Sequence, residues 1–132
     1  MPIENEPHTA SLWAGGIISG LVIAFLIFDG ATKVVRVAPV IEASSKLGIP
    51  AETLPAIGML LLACSALYAV PKTAILGAIL LSAYLGGATA IHVRAAVGAF
   101  PVAFSVGFGL LAWLGLVLRE PRLIKLILFR QW

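Results

Sequence analysis

The sequence predicts an all-α integral membrane protein. The expected form is an antiparallel bundle of four transmembrane helices, with a short amphipathic segment between helices 1 and 2 and a basic amphipathic C-terminal tail. Three observations carry this. Of the 132 residues, 61% are hydrophobic even before the 13 glycines are counted, against roughly 45–50% in a soluble domain with glycine included. A water-soluble fold of this size needs more polar surface to cover its core. The 9 basic and 6 acidic residues are clustered and leave long stretches with no charge. None of those stretches alternates polar with apolar residues, which disfavours a β-barrel.

The charge-free runs define the elements. Leu12–Phe28 has 17 residues, Thr53–Val70 has 18, Thr73–Ile91 has 19 and Ala95–Leu118 has 24. At 1.5 Å per residue these span about 26–36 Å, enough for a hydrocarbon core of roughly 30 Å. With their flanks they predict helices over 12–34, 53–70, 73–93 and 98–119 in a single membrane domain, 1–132. Pro71-Lys72-Thr73 is a tight turn that forces antiparallel neighbours, and Val93–Pro101 is short and punctuated by Gly98 and Pro101. The segment 39–47 is amphipathic. Pro39 suits a helix's first turn, and Gly48 with Pro50 would end it, so a short helix at the interface or against the bundle is expected. After Pro121, the tail 121–132 mixes Arg122 and Lys125 with Leu and Ile and ends in Trp132, a composition suited to a helix on the membrane surface.

Charge and cysteine content exclude several classes. The net charge is +3, but the basic residues form no nucleic-acid stripe. Arg119, Arg122, Lys125 and Arg130 fall in the last 14 residues, where anionic lipid headgroups are the expected partner. Cys64 has no second cysteine to pair with. The opening MPIENEPHTAS is acidic and unlike a secretory signal, and neither Pro2 nor Trp132 fits a lipidation motif, so the first apolar run is expected to remain in the mature protein. The side holding both termini and the 71–73 turn carries 5 Lys and Arg against 4 on the other. The positive-inside rule thus leans toward cytoplasmic termini.

Small residues recur at helical spacing: Gly16 and Gly20 in helix 1, and Ser82, Gly86 and Ala90 in helix 3. Such residues let helices approach closely in lipid, and they are expected to pack the bundle or to join copies of the chain. Trp13, Tyr68, Tyr84 and Trp113 are expected at the interface or in packing, and Cys64 as a small packing residue.

Polar residues gather at one rim of the expected bundle. Asp29, Lys33 and Arg36 stand at i, i+4 and i+7 at the end of helix 1, with Asp29 and Lys33 in the favourable order for a helical ion pair. They either form a polar cluster at the bundle's mouth, with Asp29 holding a proton, or mark the membrane boundary and reach headgroups. Up-and-down threading brings His92 and Arg94 to the same rim. A histidine exchanges protons near neutral pH, and an arginine can hold a carbonyl, carboxylate or quinone oxygen; both also complement a helix C-terminus. Two residues apart, they cannot share one face of a regular helix. Two histidines, one of them His8 in the tail, and a lone cysteine make neither a zinc or copper site nor a haem axial pair. The chain is therefore expected to bind no metal and no redox cofactor of its own.

The stretch from Gly77 to Arg94, GAILLSAYLGGATAIHVR, resembles the third helix of the DoxX-like family of small four-helix bacterial membrane proteins. Leu111–Leu123, Asp29-Gly30, Lys33, Leu47-Gly48-Ile49-Pro50 and the Pro71 turn extend the resemblance over nearly the whole chain from helix 1 onward. Relatives often place Asp-Pro shortly after the H-x-R; here Ala95–Pro101 lacks the acid, which leaves Asp29 or Glu42 as the candidate counter-charge. The resemblance implies the bacterial inner membrane and an association with quinone-linked oxidoreductase assemblies.

The expected function is binding of a quinone-like or other lipophilic small molecule at the rim. His92 would be the proton exchanger, Asp29 or Glu42 its electrostatic partner, and Arg94 with Lys33 the cations that hold the ligand. Electrons would come from a redox partner subunit. Two alternatives stand beside it: a non-catalytic anchor or assembly helper for another membrane protein, and a cofactor-free isomerase shuttling a proton on a lipophilic substrate.

Overall fold

Apolar side chains on every face, with no water to satisfy the backbone, leave the α-helix as the form each long run can take in lipid. The computed structural model describes residues 9–129; the acidic N-terminal stretch with His8, and the terminal Arg130 and Trp132, lie outside the described residues. The chain forms α1 (Thr9–Val35), α2 (Ala38–Lys46), α3 (Leu54–Ala69), α4 (Ala74–Ala95), α5 (Ala99–Arg119) and α6 (Arg122–Phe129). One-turn 3-10 segments at Ala51–Thr53 and Pro71–Thr73 lead into α3 and α4, and no strand occurs among the described residues. With those lead-ins, α1, α3, α4 and α5 are the four helices long and apolar enough to cross a membrane. The protein is an all-α, four-helix integral membrane protein.

The helices outrun the charge-free stretches that announce them. α1 continues through Asp29 and Lys33, and α4 through His92 and Arg94, because charged side chains at helix ends extend toward headgroups without breaking the helix. α1 stops where Arg36 turns left-handed (φ 56°) and the Val37 amide donates to the Thr32 carbonyl at 3.2 Å. α2 begins with Pro39 in its first turn and ends at Gly48, whose φ of 77° favours glycine.

The four spanning helices form a ring in chain order: α1 packs on α3 and α5, α4 packs on α3 and α5, and the diagonal pairs barely meet. Glycines set three of these seams. A Cβ on Gly58 would lie 2.6 Å from the Gly30 carbonyl, closing α3 on α1. A Cβ on Gly15 would lie 2.8 Å from the Gly115 carbonyl, closing α1 on α5. At Gly77 it would fall inside the backbone of Leu67–Tyr68, closing α4 on α3. The fourth seam, α4 on α5, is held by the Trp113 indole donating to Ser82 Oγ at 2.6 Å.

These are not the small residues that the spacing singled out. Gly16, Gly20 and Gly86 have open space where a side chain would stand, so they do not pack the bundle. Of that set only Ser82 makes an interhelical bond. Buried positions in α1 follow Gly15, Ser19, Val22, Leu26 and Gly30, a face that lies one residue away from Gly16 and Gly20.

The end of the bundle opposite α2, its foot, is tightly packed. Tyr68 is fully buried, its hydroxyl donating to the Ala112 carbonyl at 2.6 Å and standing 3.1 Å from Ser19 Oγ. Leu61, Cys64, Ala78, Leu81 and Leu116 fill the space around it. α6 is more than a surface helix, since its Leu123 is 3% exposed and joins this core. Its Ile124, Leu126, Ile127 and Leu128 remain exposed.

The two classes of glycine should respond oppositely to one methyl group. Gly77→Ala is expected to destabilise the bundle by about 3 kcal/mol through backbone overlap. Gly16→Ala, in open space, is expected to stabilise it by about 0.5–1 kcal/mol through helix propensity. Thermal unfolding of both variants in one detergent, followed by helical circular dichroism, checks the pair.

Candidate functional site

Close packing at the foot gives way to a cavity at the other end. It has a volume of about 570 Å³, within the range of sites for small organic ligands. α2 lies over it as a roof. Val40, Ala43, Ser44 and Leu47 recur at three- and four-residue spacing, so the apolar stripe of α2 faces inward, and all four line the cavity. Below it, Phe25 of α1 and Phe104 and Phe108 of α5 form an aromatic wall, with ring centroids 4.5–5.4 Å apart across and along the two helices. Leu60 and Tyr84 close its deep end.

The polar groups enter from three helices. The Asp29 carboxylate accepts from Lys33 Nζ at 2.5 Å, one turn along α1. The Gly30–Gly58 contact places this pair, because Gly58 gives α1 room to pass with the Lys33 Cβ against it. His92, in the last turn of α4, has Nδ1 2.6 Å from the Ala88 carbonyl. A carbonyl only accepts, so Nδ1 carries the hydrogen. Nε2 is then the ring nitrogen left to accept a hydrogen bond.

Asp29, Lys33 and His92 all line the cavity; Arg94 and Glu42 do not. Both are exposed. Arg94 stands two residues beyond His92, and at 100° per residue it lies on the far side of α4. Glu42 is two residues from both Val40 and Ser44 and falls on the outer face of α2. Arg36 leaves the Asp29–Lys33 face because the helix ends before it.

Three polar residues on the cavity wall, Ser44, Tyr84 and Ser105, were not expected at the site from the sequence. Ser44 is 6% exposed and lines the cavity. Its signal was present, since it stands four residues after Val40 on the apolar stripe of α2. Tyr84 packs against the core, as expected, and also lines the deep end of the cavity. Tyr84, Ala88 and His92 share one face of α4 at four-residue spacing, which was legible once His92 was singled out.

The DoxX-like family model matches residues 17–115. The chain belongs to the DoxX-like family. The match runs from α1 into the last turns of α5, so it contains every residue lining the cavity, from Phe25 to Phe108. It excludes α6. No curated protein and no solved structure matches the chain.

Gly87 lines the cavity and has nothing within 4 Å of the place a Cβ would take. Gly87→Leu is therefore expected to narrow the cavity while leaving the melting temperature unchanged or higher. Mass spectrometry of solvent extracts from purified variant and wild type checks it: a lipophile held in the cavity should be depleted in the variant.

Proposed function

We propose that this DoxX-like protein binds a quinone-like or other lipophilic small molecule under α2, as a subunit of a redox-linked membrane assembly. One observation carries the reading: a ligand-sized, mostly apolar chamber inside a membrane bundle with His92, the Asp29–Lys33 pair, Ser44 and Tyr84 on its wall. An apolar body fits the aromatic side formed by Phe25, Phe104 and Phe108. Carbonyl or hydroxyl groups on the same molecule find hydrogen-bond partners in the Ser44 and Tyr84 hydroxyls and His92 Nε2.

The chemistry divides between this chain and a partner. Reducing a quinone to a quinol takes two electrons and two protons. His92 Nε2 is the cavity-wall group placed to pass both protons in turn, taking one from the aqueous rim for each one delivered, while Lys33 pairs with the Asp29 carboxylate. The electrons come from the partner subunit. Of the two cations expected to hold the ligand, Lys33 lines the cavity and Arg94 does not.

The helper reading has one observation in its favour, the exposed apolar residues of α6, which could seat another membrane protein. It predicts no dependence on the cavity.

His92→Ala separates the two. Extracts and digests of wild type and variant, purified gently from native membrane, are compared by mass spectrometry. A lipophile enriched in wild type and lost in the variant, with the melting curve preserved, is the expected result. A stoichiometric partner protein with no lipophile in either sample would overturn the ligand reading and leave the helper.

A further inference from the structure

His92, Phe104 and Ser105 line a second pocket as well as the cavity. This side pocket, about 200 Å³, lies on the α4–α5 seam and is completed by Phe100 and Pro101 from the first turn of α5. Phe100 is 77% exposed and stands at the outer edge. The two spaces are thus neighbours across one wall, formed by an imidazole, a phenyl ring and a serine.

Polarity distinguishes them. The cavity carries polar groups along its length, from Ser44 in the roof to Tyr84, which stands eight residues before His92 on α4. At 1.5 Å per residue that is about 12 Å along the helix. The cavity's aromatic side, Phe25, Phe104 and Phe108, runs up to Phe104, which the cavity shares with the side pocket. The side pocket is different: Ser105 Oγ donates to the Pro101 carbonyl at 3.1 Å, and the remaining walls are aromatic or proline apart from His92. α2 roofs the cavity on the aqueous side, and the seam leads outward toward lipid.

We propose that the ligand is a single-tailed membrane amphiphile whose ring or other head fills the cavity and whose chain leaves the bundle through the side pocket. The chain passes His92 and Phe104 between α4 and α5 and continues into the bilayer. This rests on the reading that the cavity binds a lipophilic molecule, and it specifies the class. In lipid the chain gains little by burial, because the surrounding acyl chains are equally apolar. The pocket's role is therefore steric: it lets a head enter the protein while its tail stays in the membrane.

The test uses the full chain in lipid nanodiscs and two probes, a dimethoxy-methyl-benzoquinone without a tail and the same ring with a decyl tail. Pro101→Trp places a bulky side chain in the side pocket. The proline contributes no amide to the helix and the new one lies in the unpaired first turn, so the backbone should tolerate the change. The tailed probe is expected to weaken by about tenfold and the tailless one to stay within about twofold. Comparing each probe with itself cancels membrane partitioning. Phe100→Trp is a second plug with the same expected outcome, should the first variant melt early. Equal loss of both probes, or no loss of the tailed one in a folded variant, would overturn the tail route while leaving the cavity reading intact. Binding of neither probe to wild type would overturn the cavity reading for quinones and the tail route with it.

Discussion

Close approach of helix backbones at glycine is the constraint on which this bundle depends. In a bilayer no hydrophobic effect draws helices together, and van der Waals contact at short range must do so. Gly58 on Gly30, Gly15 on Gly115 and Gly77 on Tyr68 supply that contact at three of four seams. Two of the three lie at the foot, where Tyr68, Ser19 and the Ala112 carbonyl also satisfy one another. The fourth seam has no such glycine contact. Its Trp113–Ser82 bond lies in the half toward the foot, and the cavity and the side pocket lie beyond it, toward the rim. A packed foot and a hollow rim thus follow from where the glycines fall.

The same arrangement positions the polar groups. Gly30–Gly58 is the one tight glycine seam near the rim, and it sets the height and rotation of Asp29 and Lys33. His92 is oriented by the Ala88 carbonyl one turn back, so its direction follows from α4 itself. α2, tethered by the left-handed Arg36 at one end and Gly48 at the other, is carried over the opening. A scaffold that is rigid at the foot and roofed by a short helix holds these side chains while keeping space between them.

Much of this was legible in the sequence, and the gaps have physical causes. Four apolar runs separated by charges, prolines and glycines fix four spanning helices, because the membrane permits little else. The rim location of Asp29, Lys33 and His92 follows from up-and-down threading alone. What the pattern could not resolve was rotation about each helix axis. An apolar helix in lipid carries no polar face to distinguish inside from outside, so Gly15 and Gly16 are equivalent candidates until packing is known. Arg94 and Glu42 stand at the rim on faces that do not line the cavity. Ser44 was hidden differently, as a small polar residue on a stripe read as purely apolar.

Charge at the cavity wall narrows the ligand further. Lys33 is the one lysine or arginine among its lining residues, and its ammonium is already held by Asp29 at 2.5 Å. A carboxylate or phosphate head would have to displace Asp29 from Lys33 or share the cation with it. A neutral head meets no such cost. Carbonyl and hydroxyl groups need only the hydrogen bonds that Ser44, Tyr84 and His92 Nε2 are placed to make. For the proposed ligand, the ion pair therefore favours an uncharged head over one that competes for Lys33. That preference agrees with the quinone-like ligand proposed above, and it rests on a single turn of α1.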